Sequence, residues 1–352
     1  MATRPQTTPE ELRTALAEHP NLRPRDLAQK LGVSEADLVA AQVGHGATPI
    51  VAAPKRLIPA VEALGEVMAL TRNDHVVHEK IGRYANFHDG DHAAMVLTEE
   101  IDLRIFPRHW VHAFAVERET QGAVRRSVQV FDAAGDAVHK VYLRDGSPLA
   151  AWTALRNTLM TGLVGEHLAL DPRVPVEAAK GDRAKADTLR AEWDRMTDTH
   201  QFLRLTAKLK MNRLGAYRMV GEPHARALAP SSAVQLLSDV AVAGLPVMLF
   251  VGNRGCIQIH SGPIGGLTPM GPWQNVLDDG FNLHLRADRV AEVWAVRKPT
   301  KRGEAVSLEA FDGEGGLIFQ LFGLRKEGVD HVPDFARLVD ALPTAEMERA
   351  AS

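Results

Sequence analysis

The stretch that decides the fold is a hairpin-like segment that occurs twice, as SVQVFDAAGDAVHKVYL (Ser127–Leu143) and as SLEAFDGEGGLIFQLFG (Ser307–Gly323). In each copy, alternating apolar and polar residues flank an Asp- and Gly-containing turn, which is typical of two antiparallel strands. Further segments repeat at the same spacing of about 180 residues, which indicates a tandem duplication. The pairs are IDLRIF (Ile101–Phe106) with FNLHLR (Phe281–Arg286), FAVERE (Phe114–Glu119) with WAVRKP (Trp294–Pro299), and TRNDHVVHEKIG (Thr71–Gly82) with VGNRGCIQIHSG (Val251–Gly262).

The duplication predicts two halves of mixed α+β class, each an antiparallel sheet flanked by helices. Apolar periodicity predicts helices between Pro9 and Val43, and SPLAAWTALRNTLM is expected to close the first half as a helix. The helical segment RDLAQKLGVSEADLVAA aligns, with a few extra residues, to Gly215–Pro230. A charged, proline-containing segment separates the halves. We therefore expect an N-terminal repeat at 1–170, a linker at 171–188 and a C-terminal repeat at 189–352.

The composition is that of an ordinary soluble protein, with 352 residues, 45% hydrophobic and 24% charged. The sequence lacks a run of eighteen apolar residues and begins without the apolar segment of a secretory signal, so a cytoplasmic location is expected. The single cysteine, Cys256, excludes an internal disulfide and cysteine-ligated zinc or iron–sulfur sites. The net charge of −3 gives no general attraction to nucleic acid or membranes.

His200 is the most informative histidine. It lies in EWDRMTDTHQFLRLTAKLKMNR (Glu192–Arg213), where Asp198 and Gln201 have the spacing of a helix N-cap and its return partner. This predicts His200 in the first helical turn, where the helix dipole disfavours the imidazolium form. A neutral imidazole on a half-apolar surface suits an iron or zinc ligand. The alternative is a buried core histidine whose hydrogen bonds are satisfied.

Other motifs point to weaker alternatives. His88 and His92, in FHDGDH, resemble a fragment of a metal hydrolase site, but the sequence offers no further ligands at suitable spacing. His75 and His78 stand among charged residues, and we expect them to be exposed. Cys256 is expected to be an inert buried thiol. The segment Arg23–Gln42 has the pattern of a helix-turn-helix, but its recurrence in the second half favours a structural role.

Cationic side chains within strand patterns, together with a neutral histidine and aromatic residues, fit a flat, apolar, dianionic ligand with an axial coordination position. Haem has these properties: its propionates attract Arg or Lys, its ring packs against Phe, and its iron binds imidazole. The sequence lacks the Cys-x-x-Cys-His motif, so attachment would be non-covalent, as in haem b. The candidate residues are Arg104, Phe106, Arg213, Phe250, Lys298, Phe322 and Arg325.

Several motifs carry a family resemblance. MTDTHQF, FVGNRGCIQI, VWAVRKPT and FGLRKEG resemble the cytoplasmic haem-utilisation proteins of Gram-negative bacteria, the HemS/ChuS/HmuS-type hemin-degrading factors. TRN, VHEKIGRY and DLRIF in the first half are similar to the same family. The resemblance covers nearly the whole chain, including its duplication, and implies a protein that receives imported haem in a cleft between the halves.

The resemblance also implies residue roles. His200 matches the axial ligand, Arg104 a distal position, and Arg213, Lys298 and Arg325 the propionate-binding positions. The matching wall positions are Phe106, Phe250 and Gln320. The family commonly has Tyr-Gly-x-Arg where this chain has Phe322-Gly-Leu-Arg325, so a hydroxyl expected near the distal haem face is missing.

Three functions follow as hypotheses. The first is a haem-binding protein that traffics haem and, with reductant and oxygen, opens the porphyrin ring for iron acquisition. The second is a haem chaperone that delivers its cargo to a separate oxygenase. The third is a haem-responsive DNA-binding regulator. The partners expected for the first two are an inner-membrane haem importer ATPase and a reductase or haem oxygenase.

Overall fold

The structure, a computed structural model, describes residues 7–120, 122–162 and 167–345. The chain divides into two compact units. The N-terminal unit comprises Met1–Arg72, Glu79–Val174 and Asn253–Gln258, and the C-terminal unit comprises Asn73–His78, Pro175–Gly252 and Ile259–Ser352. Each unit therefore contains a short segment from the other half of the sequence.

The first half of the chain begins with helices and continues into strands. Its helices are α1 (Pro9–Glu18), α2 (Pro24–Leu31), α3 (Glu35–Ala40), α4 (Pro54–Glu62) and α5 (Leu149–Leu159). Its strands are β1 (Ala47–Ile50), β2 (Glu66–Arg72), β3 (Val76–Arg83), β4 (Phe87–His88), β5 (Ala94–Leu97), β6 (Asp102–Ile105), β7 (His112–Thr120), β8 (Ala123–Phe131) and β9 (Ala137–Leu143). The predicted helical start and closing helix are confirmed.

The second half follows the same order. Its helices are α6 (Ala186–Asp194), α7 (Gln201–Leu209), α8 (Arg213–Val220), α9 (Ser232–Val242) and α10 (Val332–Asp340). Its strands are β10 (Ala225–Leu228), β11 (Val247–Gly252), β12 (Cys256–Gly262), β13 (Leu267–Met270), β14 (Trp273–Asp278), β15 (Phe281–Arg286), β16 (Glu292–Lys298), β17 (Ala305–Phe311), β18 (Leu317–Gly323), β19 (Arg325–Lys326) and β20 (Val329–Asp330). The end of the expected linker is helical, since α6 begins at Ala186; the 171–188 boundary itself remains a prediction.

Local sequence explains where several helices begin and end. Thr8 caps α1 with a return bond from Glu11, and Ser34 caps α3 in the same way with Asp37. Gly32 ends α2 in the left-handed conformation, at φ 68°. These caps satisfy backbone N–H and C=O groups that a short helix leaves unpaired.

The antiparallel strands repeat as the sequence predicted. The N-terminal unit contains the strand order β1-β7-β8-β9-β2, and the C-terminal unit contains β10-β16-β17-β18-β11. Phe114 pairs with Gln129 in the first ladder, and Trp294 pairs with Glu309 at the equivalent place in the second. A register irregularity also recurs, at Val130/Phe131 and at Ala310/Phe311. The α+β class and the tandem duplication are confirmed.

One predicted alignment was wrong. The helices before each sheet correspond as α2 with α7 and α3 with α8, because each pair precedes the equivalent edge strand, β1 or β10. Gly215–Pro230 instead covers most of α8 and all of β10. The residues that begin α3 and α8, Glu35 and Arg213, are therefore equivalent.

Two asparagines anchor the short segments that each unit takes from the other half of the sequence. Asn73 donates to the carbonyl of Ile318 at 2.7 Å and accepts the N–H of Val76. Asn253 donates to the carbonyl of Val138 at 2.8 Å and accepts the N–H of Cys256. Each side chain thus closes a turn and attaches that turn to the unit in which it lies.

The C-terminal sheet has helices on both faces. One face contributes Leu249, Leu308 and Leu321 to a core that includes residues of α9 and α10. The opposite face contributes Trp294 and Val296 to a second core with residues of α6, α7 and α8. Successive side chains along β16, β17, β18 and β11 therefore alternate between the face packed by α6–α8 and the face packed by α9 and α10.

Candidate functional site

A half-buried aromatic surface lies on β11 and β18 of the C-terminal unit. Phe250 pairs with Gln320, and Met248 pairs with Phe322, so all four side chains lie on one sheet face. The Phe250 and Phe322 rings contact edge to face with centroids 5.3 Å apart. All four residues are partly exposed. This face offers a flat apolar wall beside a polar amide.

His200 lies immediately before α7, as its N-cap, rather than inside the first turn as predicted. The predicted cap was also wrong: the Gln201 side chain accepts the N–H of Thr197 at 2.9 Å. Asp198 Oδ1 instead accepts the His200 N–H and lies 2.7 Å from His200 Nδ1. The imidazole is 93% exposed, so it is not a core histidine.

The Asp198 contact bears on which ring nitrogen of His200 carries the proton. With Nδ1–H donated to the carboxylate, a neutral imidazole carries its lone pair on Nε2. A histidine that donates one ring N–H to a carboxylate and offers the other nitrogen is the usual arrangement of a metal ligand. In that tautomer His200 would have Nε2 free to coordinate a metal.

A buried charged cluster lies on the same sheet face as the aromatic wall, since Glu309 pairs with Gln320. Glu309 Oε2 accepts from Arg213 Nη1 at 2.8 Å, and Oε1 accepts from Lys298 Nζ at 3.0 Å. Tyr217 Oη lies 3.1 Å from Arg213 Nη1 and 3.0 Å from Lys298 Nζ. Two predicted propionate-binding cations are therefore brought together around one carboxylate.

The cluster keeps its charges despite burial. Burial alone would raise the pKa of Glu309, but Lys298 and Arg213 lower it to about 2. Burial lowers the pKa of Lys298 to about 8 and outweighs the attraction of Glu309. Burial would lower the pKa of Arg213, but Tyr217 and Glu309 raise it. Near pH 7 the cluster thus contains two cations and one anion.

Aromatic side chains connect this cluster to the helix that follows His200. Lys298 Nζ lies 4.7 Å from the Phe202 ring centroid and 5.2 Å from that of Tyr217. Arg213 lies over the Phe202 ring at 5.4 Å. Phe202 belongs to the first turn of α7, two residues after His200. Cation–π contacts and the Phe202–Tyr217 stack therefore fix the start of α7 against the cluster.

The other candidate residues lie elsewhere. Arg325 forms an ion pair with Asp330 at 3.1 Å and donates to the carbonyl of Glu304 at 3.3 Å. In the N-terminal unit, Arg104 pairs with Asp102 on β6, and Phe106 is half-buried at the end of that strand. The structure gives these residues their own local partners.

Sequence reasoning missed the polar partners of the candidate residues. Glu309, Ser307 and Tyr217 received no role, although Glu309 is fully buried and accepts three hydrogen bonds. The available signal was a carboxylate in the middle of an apolar strand, SLEAF, on the same strand face as Phe311. Buried charges require partners, so the pattern predicts nearby cations.

Several remaining expectations concern other histidines and the cysteine. His78 is fully buried, so its expected exposure was wrong, whereas His75 is partly exposed and 3.4 Å from Asp312. Cys256 is buried as predicted, and burial raises the pKa of its thiol to about 12. Throughout the described ranges, no three His, Cys, Asp or Glu side chains form a group that could hold a metal ion.

No helix in the part of the chain that the structure describes is long and apolar enough to cross a bilayer.

Comparison with known proteins agrees with the duplicated fold. The haemin-degrading HemS.ChuX domain matches residues 32–159 and again residues 210–342. The hemin transport protein HmuS of Yersinia pestis is 42% identical over 317 residues, which cover 89% of this chain and 91% of HmuS. The crystal structure of holo-PhuS, a haem-binding protein from Pseudomonas aeruginosa, superposes with a TM-score of 0.91 at 42% identity, covering 96% of this chain and all of PhuS.

A second similar structure is that of a protein described as an enzyme. ChuS, described as an E. coli haem oxygenase, superposes with a TM-score of 0.84 at 33% identity, covering 94% of this chain and 99% of ChuS. The matched segments contain α3 to α5 of the first half and α8 to α10 of the second, with the strands between them. The chain, with its repeated sheets, belongs to the haemin-degrading HemS.ChuX domain family.

Proposed function

We propose that this protein binds haem b non-covalently and traffics it, degrades it oxidatively, or does both, in the acquisition of iron. The observation that carries the proposal is His200, whose Nδ1 is held by Asp198 while the exposed ring offers Nε2 as the axial ligand. The family relatives include a hemin transport protein, a haem-binding protein and a haem oxygenase, which agrees with this chemistry.

The residues of the C-terminal unit fit haem in kind. Imidazole suits the iron, the Phe250–Phe322 pair suits a flat porphyrin, and Arg213 suits a propionate. When bound, haem supplies the redox chemistry, and the chain supplies binding, orientation and charge. Gln320 would line the ring beside Phe250.

The cations have separate proposed tasks. Arg213 is 23% exposed and offers a guanidinium edge to a propionate. Lys298 is 5% exposed and already has Glu309 and Tyr217 as partners, so it acts on the propionate chiefly through its charge. Arg325 would serve the second propionate from its position beside Asp330. Arg104 and Phe106 of the N-terminal unit are proposed to serve the distal side.

Transport is the part of the proposal that the closer identities favour. The hemin transport and haem-binding relatives share 42% identity with the chain, against 33% for the haem oxygenase. A cytoplasmic protein of this kind would receive haem from an inner-membrane importer ATPase. It would then deliver the haem to a separate oxygenase, or open the ring with electrons from a reductase.

An anaerobic haem titration followed by reductant and oxygen tests the proposal. We expect one haem per chain with a Soret band typical of histidine ligation. Loss of that band with stoichiometric linear tetrapyrrole would establish degradation, whereas retention of intact haem that transfers to an added oxygenase would establish transport. Absence of saturable binding would refute the haem assignment.

A further inference from the structure

The buried carboxylate of Glu309 has no part in the haem contacts proposed above. Its position between Arg213 and Lys298 suggests a role in the same site. We infer that Glu309 is the positioning residue of the anion-binding site: it orients Arg213 so that the guanidinium receives one carboxylate of the ligand. This inference rests on the proposed function, because the carboxylate in question is a haem propionate.

The contacts of Arg213 show how the orientation arises. Both of its hydrogen bonds in the cluster run through Nη1, to Glu309 Oε2 and to Tyr217 Oη. Within the described residues, Nη2 and Nε have no partner, while Phe202 packs against the guanidinium plane. Nη1 of the guanidinium therefore faces the cluster, and the edge formed by Nη2 and Nε is left for a planar acceptor with two oxygens, such as a carboxylate.

Burial makes this orientation specific. The side chain of Glu309 is 0% exposed and that of Lys298 is 5% exposed, whereas that of Arg213 is 23% exposed. Ser307 Oγ also donates to Glu309 Oε1 at 3.1 Å, so both carboxylate oxygens have fixed donors. Because two cations share one anion, a single positive charge remains, and Arg213 is the cation that an incoming anion reaches.

The N-terminal half provides an internal comparison. Glu35 begins α3 where Arg213 begins α8, and Gln129 occupies the ladder position of Glu309. Glu35 pairs with Arg72 at 2.9 Å and with Lys140, which stands where the C-terminal half has Gln320. The strand carries a carboxylate only in the half where the helix carries an arginine.

The different residues at these equivalent positions of the two halves have two consequences. An acid at the helix start cannot offer a fork of donors to an anion, so the arrangement seen around Arg213 belongs to the C-terminal half alone. Moreover, Gln129 shows that the equivalent ladder of the N-terminal half accommodates a glutamine at this position. Glu309→Gln is therefore a suitable test, since it preserves shape and removes the charge that holds Arg213.

The experiment compares haem with haem dimethyl ester, in which the propionates are uncharged. For each protein, the selectivity is the dissociation constant of the ester divided by that of haem. Wild type should show a selectivity of about 10-fold or more, as expected for a charge-assisted hydrogen bond to a carboxylate. Glu309→Gln should lower it by about 5-fold or more, by weakening haem binding rather than by strengthening ester binding, while the selectivity that Arg325 supplies remains.

Glu35→Gln is the matched control, because Glu35 is also a buried carboxylate with two cationic partners. Both variants should lower the melting temperature of the apo protein, but Glu35→Gln should leave the selectivity unchanged. Glu309→Asp, which restores the charge, should recover part of the selectivity.

The outcomes separate the possible roles of Glu309. An unchanged selectivity in Glu309→Gln would show a purely structural role and overturn the inference. An increased selectivity would also overturn it, because it would mean that Glu309 merely offsets the attraction of the cations for propionate. If wild type binds neither ligand, the proposed function fails; if it binds both equally, haem binding stands and the inference fails.

Discussion

His139, in the N-terminal unit, should make the fold sensitive to mild acid. Its Nε2 lies 2.6 Å from Tyr84 Oη and its Nδ1 lies 2.8 Å from Thr71 Oγ1. Thr71 donates to Gln258 Oε1 at 3.1 Å, so Nδ1 must carry the proton and Nε2 must accept from Tyr84. The neutral imidazole is thus fully hydrogen-bonded within an apolar core.

The magnitude follows from the pKa of His139, which burial lowers from 6.5 to about 3. Because the folded-state pKa is below the unfolded value, the unfolded chain binds the extra proton, and stability is lost as pH falls below 6.5. Each pKa unit corresponds to about 1.4 kcal/mol, so His139 should remove about 2 kcal/mol between pH 7 and pH 5.

The assay is urea unfolding followed by circular dichroism at pH 7 and pH 5, for wild type and His139→Gln. The glutamine retains a donor and an acceptor but does not titrate, so its lower stability should be nearly the same at both pH values. Wild type should lose about 2 kcal/mol more than the variant on acidification. Equal losses in the two proteins would refute the assignment of a neutral, buried His139.

Other changes address the site and the exchanged segments. His200→Ala should weaken haem binding and change the spin state of the iron without lowering the melting temperature of the apo protein. The control His88→Ala should change neither haem binding nor the spin state. An unaltered absorption spectrum in His200→Ala would exclude His200 as the ligand. Arg325→Ala should weaken the binding of haem by about 1–3 kcal/mol and leave the binding of haem dimethyl ester unchanged. Equal losses of affinity for the two ligands would exclude a contact between Arg325 and a propionate. Asn253→Ala should destabilise the apo protein by about 1–3 kcal/mol, measured by thermal melting, since buried carbonyls lose a donor; an unchanged melting temperature would contradict this. Phe322→Tyr should change the rate of ring opening with little change in affinity, and a melting loss with an unaltered rate would place Phe322 outside the haem site.

The start of α7, the helix that follows His200, shows the limit of local sequence patterns. The sequence predicts a helix near Asp198 and Gln201, and α7 begins there, but the assignment of the cap was wrong by two residues, since His200 and not Asp198 is the N-cap. Thr197, Asp198 and His200 all offer groups that can satisfy a helix start, and their competition depends on which side chains the neighbouring structure holds in place. The consequence matters for function, because the Asp198 carboxylate is the group that orients His200.

The duplicated sheets were determined by sequence, since alternation and a constant spacing between Ser127–Leu143 and Ser307–Gly323 specify the strands and their turns. The family motifs also nominated His200 and the candidate cations as site residues, and these roles stay predictions. Periodicity assigns a side chain to a face but does not say what it meets there, because partners such as Arg213, Lys298 and Glu309 come from separate elements of the chain. Only the tertiary structure decided that Glu309 binds both Arg213 and Lys298. It also decided that residues 73–78 belong to the C-terminal unit and residues 253–258 to the N-terminal unit. Both features depend on contacts between residues far apart in sequence.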